Sequence, residues 1–137
     1  MAFESLPCSC LSGYHLAQNG RQTGINYLWI FELKQDGFRG VAYVFEDQCK
    51  LVSRKNNAYK SFAPLQAAIA RERVKDAILD GDIVCLDSDG RSLFKELLHR
   101  RGSPIFYAFD LLWLNGRDLR HLPLLERKRM LWDLIRG

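Results

Sequence analysis

Between Tyr27 and Glu46 the chain alternates, turns and alternates again, which confines it to antiparallel sheet. Trp29, Phe31 and Leu33 alternate with Ile30, Glu32 and Lys34, the period-2 spacing of a half-buried strand. Asp36-Gly37 follows, a pair that tight hairpin turns favour. Gly40–Glu46, rich in Val and Tyr, reads as the return strand, and Lys50–Arg54 as a third after a polar turn. Asp76–Leu86 predicts another strand, apolar except at Asp80-Gly81-Asp82. Ile105–Trp113 predicts one more, closed by an Asn115-Gly116 turn.

Three helices fit between and after these strands. Pro64 opens one carrying Leu65, Ala68 and Ile69. Ser92 is placed to cap a second, with Leu93, Phe94, Leu97 and Leu98, that ends at Gly102. Pro123 starts a third with Leu124, Leu131, Leu134 and Ile135 on one side. Residues 1–26, with Pro7, Gly13, Gly20 and Gly24, read as an irregular entry segment. The class expected is α+β, mainly antiparallel sheets with flanking helices. At 137 residues this is one domain or a piece of one.

Composition narrows the function classes. With 47% hydrophobic and 26% charged residues the chain is neither disordered nor fibrous. It has no apolar run long enough for a bilayer and no basic-then-apolar leader over Met1–Gly13, so a cytoplasmic protein with no membrane partner is expected. The charge is uneven. Residues 1–90 hold ten Lys/Arg against eleven Asp/Glu, whereas residues 91–137 hold ten against five. That basic third suits a polyanion such as nucleic acid, but taken alone it reads more simply as a solvated, Arg-rich helix face. Cys8-Ser9-Cys10 and His15 lack the spacing that would complete a zinc site, and Cys85 reads as a small core residue. His15, His99 and His121 have no partner pattern.

Chemistry concentrates in Glu32-Leu33-Lys34-Gln35-Asp36-Gly37-Phe38-Arg39. On a strand, Glu32, Lys34 and Asp36 share one face, with Arg39 just beyond the turn. Two readings stay open on these residues alone: a salt-bridged hairpin, or an amine, carboxylates and a guanidinium gathered for catalysis.

Lys34-Gln35-Asp36-Gly37-Phe38-Arg39 matches KxDGxR, and the chain thereby resembles the covalent nucleotidyltransferases: ATP-dependent DNA ligases, RNA ligases and mRNA capping enzymes. Three further segments follow in the family's order. Ser53-Arg54-Lys55-Asn56 fits a short second motif, and Ala77–Val84 resembles an apolar strand ending in Asp-Gly-Glu. Tyr107–Gly116, with Pro123-Leu124 and Glu126-Arg127-Lys128, resembles the next motif in its DNA-ligase form. The wording is similar to the ligases of bacterial end-joining and repair.

The resemblance implies a partial adenylation domain of ATP-grasp-like, nucleotidyltransferase fold over residues 27–137. It implies that Lys34 attacks the α-phosphorus of ATP and that the AMP passes to a 5′-phosphate in nicked double-stranded DNA, where a 3′-hydroxyl then seals the strand. It casts Arg39 on ribose or phosphate, Glu32 on the adenine amino group and Phe109 stacked on adenine. The resemblance also implies Asp82 near ribose and Mg²⁺, and Arg54 at the 5′-phosphate of the nick. Only lysine serves as nucleophile, because a guanidinium stays protonated.

Two departures stand out. Asp82 occupies the family's glutamate position, one methylene shorter. The later Glu-Gly and Lys-x-Lys motifs and the OB-fold domain find no counterpart before Gly137, so a C-terminal half or a separate polypeptide is expected to complete the enzyme. The alternatives are a non-catalytic remnant that only binds ATP or DNA, and a capping-type guanylyltransferase.

Overall fold

In the computed structural model, which describes Glu32, residues 34–72 and residues 74–136, five strands form one antiparallel sheet. They are β1 (Phe38–Phe45), β2 (Gln48–Val52), β3 (Ala77–Val84), β4 (Ile105–Leu114) and β5 (Arg117–Asp118), in the order β2-β1-β3-β4-β5. The helices are α1 (Ala63–Arg71), α2 (Phe94–Leu98) and α3 (Leu124–Arg136). No helix among the described residues is long and apolar enough to cross a membrane.

Alternation along the strands makes the core. Ala42 and Val44 of β1, Leu79 and Ile83 of β3, and Phe106 and Leu111 of β4 are buried together. Leu65 and Ile69 of α1, Leu97 of α2 and Leu131 of α3 close over them, and Cys85 lies in the same cluster. The Pro64 helix, the Pro123 helix and the Asn115-Gly116 turn form where the sequence places them. Asn115 and Gly116 both take positive φ, 47° and 82°, as a two-residue hairpin requires. That hairpin adds β5, which the sequence reading lacks.

The Asp36-Gly37 hairpin does not form. β1 starts immediately after the pair, and both its edges are taken, by β2 from Val41 and by β3 from Phe38. Glu32, Lys34, Gln35 and Asp36 lie outside any strand; the rest of the expected first strand, like Cys8, Cys10 and His15, is outside the described residues. Gly37 serves close approach instead of a turn. A Cβ there would stand 2.3 Å from the Ile83 carbonyl oxygen and 2.6 Å from Val84 Cγ1. The tight β1–β2 turn is made by Glu46 and Asp47, at φ 50° and 58°.

Three further expectations are corrected. Ser92 does not cap α2, whose N-cap is Leu93. Its hydroxyl donates to Gln35 Oε1 (2.5 Å) and accepts from the Asp36 N–H (3.1 Å), tethering the Lys34–Arg39 segment. β2 ends at Val52, leaving Arg54 in a turn instead of on a strand. On α3, Leu124 is exposed while Lys128, four residues on, takes the inward position beside Leu131.

Candidate functional site

The register of β1, β3 and β4 aligns Arg39, Asp82 and Tyr107 across neighbouring strands. Side chains alternate, so these positions face away from the core that Ala42, Leu79 and Ile83 enter. Gly81 allows the strands to come close: a Cβ there would lie 2.5 Å from the Tyr107 carbonyl oxygen. At the same point the β3–β4 register shifts, with Gly81 opposite Ala108 and Asp80 opposite Asp110. Phe109 is thus the extra residue of a β-bulge. A second shift, between Ile78 and Leu79, follows. Simple alternation would put Phe109 and Leu111 on one face. Instead Leu111 is in the core, and Phe109 meets Arg39 on the outer side.

Arg39 is held from three directions. Its Nε and Nη2 donate to Asp80 Oδ1 and Oδ2 at 2.7 and 2.6 Å, a bidentate pair. Its guanidinium carbon lies 4.5 Å from the Phe109 ring centroid, a cation–π contact. Its backbone carbonyl accepts from the Tyr59 hydroxyl at 2.9 Å. The sequence reading notes Asp80 only as a carboxylate interrupting an apolar strand and gives it no role.

Asp82 lies beside this pair. Burial pushes its carboxyl above the ordinary aspartate value, and Asp80 adds to the rise. Arg39, Lys34 and Arg54 pull in the opposite direction, so the predicted nucleophile and the predicted DNA contact both project their charge onto Asp82. Burial, then Asp82, likewise raises the Tyr59 phenol.

Lys34 is 91% exposed and 3.7 Å from Asp36. Glu32 is ion-paired to Lys128, whose Nζ also donates to the Phe109 carbonyl at 2.6 Å. Lys128 is only 3% exposed. Its position one helical turn before the buried Leu131 is the signal that would have placed it inward. Arg39, Asp82 and Phe109 therefore form one cluster, with Lys34 and Arg54 at its electrostatic edge and Glu32 reaching it through Lys128. A cleft of about 400 Å³ between α1, α2 and residues 100–104 contains none of these residues.

Among the described residues, no three His, Cys, Asp or Glu side chains gather as a metal cage. Of the two β3 carboxylates, Asp80 has both oxygens engaged by Arg39, so Asp82 is the candidate metal contact. One carboxylate plus phosphate oxygens suits Mg²⁺, which keeps several waters and binds largely through its substrate's phosphates.

The raised Asp82 value fixes a sign. The folded chain holds this proton to higher pH than the unfolded chain, so Asp82 lowers stability as pH rises from the ordinary aspartate range through its raised value. Asp82→Asn should therefore keep or raise the melting temperature at neutral pH while weakening Mg-ATP binding. In the unsubstituted chain, Mg-ATP binding should fall as pH drops through the raised Asp82 value, before aspartates at their ordinary value protonate. Titrations across pH, read beside thermal melts, check both; a pH-independent affinity would exclude Asp82 as a ligand.

Comparison with known proteins places the chain. A family model described as ATP dependent DNA ligase domain matches residues 17–137. The multifunctional non-homologous end joining protein LigD of Pseudomonas aeruginosa is 35% identical over 115 residues, covering 80% of this chain and 14% of that protein. A DNA ligase of Pyrobaculum calidifontis is 35% identical over 121 residues, covering 77% of this chain and 21% of the relative. Of solved structures, the ligase domain of Mycobacterium tuberculosis LigD superposes with a TM-score of 0.66 at 32% identity, over 74% of this chain and 35% of that one. A mycobacterial DNA ligase D complexed with ATP and MES gives 0.63 at 30% identity, over the same shares. The chain thus spans 14% to 21% of the length of these curated relatives.

Proposed function

The chain belongs to the ATP-dependent DNA ligase domain family, and from that premise we propose that its outer sheet face is the nucleotide-binding half of an adenylation centre. The observation that carries this reading is one cluster: Arg39, Asp82 and Phe109 converge from three strands, beside the tethered segment that carries Lys34.

Each residue has a physical task. Lys34 Nζ, once deprotonated, attacks the α-phosphorus of ATP. A nitrogen–phosphorus bond forms, the bond to the pyrophosphate oxygen breaks, and pyrophosphate leaves with the electron pair. Exposure suits a nucleophile that must meet a phosphate and later offer AMP to a second substrate. Arg39, oriented by both Asp80 oxygens, presents its remaining donors to ribose or phosphate. Phe109, lifted by its bulge, offers a ring for the base, with Arg39 covering part of that ring. Asp82 would hold Mg²⁺, which when bound neutralises phosphate charge. Arg54 contributes a cation toward the 5′-phosphate of nicked DNA, to which the AMP is passed before the 3′-hydroxyl displaces it.

Incubation with ATP labelled at the α-phosphate, followed by peptide mass mapping, tests the reading. The expected result is one AMP on Lys34, acid-labile, alkali-stable and removed by added pyrophosphate. ATP binding without any adduct would return the chain to a binding-only role.

Phe109 and Leu111 separate stacking from packing. Stacking of a base on an aromatic ring is worth about 1–3 kcal/mol, so Phe109→Ala should weaken ATP binding by about tenfold. Leu111 is fully buried, so Leu111→Ala should cost ~2–5 kcal/mol of stability and leave the affinity of the folded fraction unchanged. Parallel losses of affinity and stability in both variants would make the contribution of Phe109 one of packing and not of base stacking.

A further inference from the structure

We propose that Lys128 is a positioning residue for base recognition: it fixes Glu32 and the Phe109 bulge relative to each other, and so sets the preference for adenine over guanine. The inference rests on the nucleotide-site reading above and extends it to a residue on α3, a helix to which that reading gives no role.

The argument starts from burial. The ammonium of a lysine that is only 3% exposed persists only where its charge and donors are matched. Lys128 has a carboxylate, Glu32, and a carbonyl, Phe109 O at 2.6 Å. Its apolar neighbour one turn on, Leu131, is buried in the core, so the helix that presents the ammonium is anchored. One rigidly presented cation therefore joins two parts of the site that are remote in sequence. The first is the main chain of the bulged residue whose ring would stack on a base. The second is a carboxylate still 45% exposed and so within reach of a ligand.

The purine edges supply the selectivity. Adenine presents an amino donor at C6, which a carboxylate accepts. Guanine presents a carbonyl oxygen there, which a carboxylate repels. Discrimination needs the carboxylate held at a fixed offset from the stacking plane, because a site's polar groups reject the wrong partner only when they cannot move away. Lys128 holds both the carboxylate and the main chain that carries the ring. Without it, Glu32 is free to swing into solvent and the Phe109 carbonyl loses a donor.

The test is equilibrium binding of ATP and of GTP to the 137-residue chain, with thermal melts alongside. Lys128→Met keeps length and apolar contact but removes the charge. It should weaken ATP binding by about tenfold, leave GTP binding nearly unchanged, and so collapse the ATP/GTP preference. Lys128→Arg, which keeps the donor and the charge, should recover most of that preference. Adding Glu32→Gln to Lys128→Met should cost little more, because both act through the same contact. A folded Lys128→Met chain with its preference intact overturns the proposal. So does an equal loss of both nucleotides, or an unsubstituted chain that binds no ATP. Should Lys128→Met fail to fold, Glu32→Gln decides on its own: the amide both donates and accepts, so the preference should shrink, and its retention overturns the proposal. Adduct formation is a separate readout. A chain that prefers ATP through Lys128 yet forms no AMP–Lys34 bond would sink the adenylation reading and leave this one standing.

Discussion

Lys34→Arg is expected to leave no covalent AMP on the chain, a loss of at least about a thousandfold in adduct, while ATP binding should stay within about threefold. The expectation follows from what the substitution keeps and what it removes. Lys34 is 91% exposed and its ion pair with Asp36 spans 3.7 Å; exposed pairs of this kind contribute little to stability. Arginine retains the positive charge that reaches Asp82. It cannot supply the free electron pair, since a guanidinium stays protonated throughout the working pH range and is delocalised. Binding and chemistry therefore separate in a single variant. Intact-mass measurement after incubation with ATP reads the adduct, and titration reads the affinity. A normal adduct in Lys34→Arg would move the nucleophile elsewhere and dissolve the assignment built on KxDGxR.

Local patterns were legible where the signal is itself local. The Pro64 and Pro123 helix starts, the Asn115-Gly116 turn, the Val- and Tyr-rich β1, the apolar run of β3 and the burial of Cys85 all follow from neighbouring residues. The DNA-ligase family was legible as well, because it is carried by the order of short motifs and survives errors in the strands between them. What stayed hidden depends on contacts between distant segments. Asp36-Gly37 has the composition of a hairpin turn, yet β2 and β3 take both edges of β1. Ser92 has the composition of an N-cap, yet its hydroxyl is drawn to Gln35 and Asp36. The bulge at Phe109 is a property of how β3 and β4 register, so no periodicity along β4 alone could separate Phe109 from Leu111. Asp80 and Lys128 look like ordinary charges until their partners, Arg39 and Glu32, are brought beside them.

Breaking the Arg127–Asp110 pair is expected to destabilise the fold strongly. The two side chains are 15% and 14% exposed and meet in a bidentate pair, Nε to Oδ1 and Nη2 to Oδ2, each 2.9 Å. Arg127 Nη1 also donates to the Leu122 carbonyl at 2.6 Å, which fixes the turn entering α3. The pair holds α3 on β4 one residue away from Lys128 and from Phe109. Asp110→Ala would leave a largely buried guanidinium unmatched, and removal of one partner from such a pair costs about 3–5 kcal/mol. Arg127→Ala should cost as much and free the Leu122 carbonyl as well. Replacing both by apolar residues of similar size, Asp110→Leu with Arg127→Met, should lie closer to the unsubstituted chain than either single change, because no lone buried charge remains. Chemical denaturation of the unsubstituted chain, Asp110→Leu, Arg127→Met and the double variant yields the coupling directly. ATP titration of the double variant then asks whether α3 matters as a scaffold. If the pair serves only to seat the helix, the double variant keeps the ATP/GTP preference, because Lys128 is still carried to Glu32 and Phe109. Additive single-variant losses, with the double variant least stable of all, would mean that the two charges stabilise the fold independently.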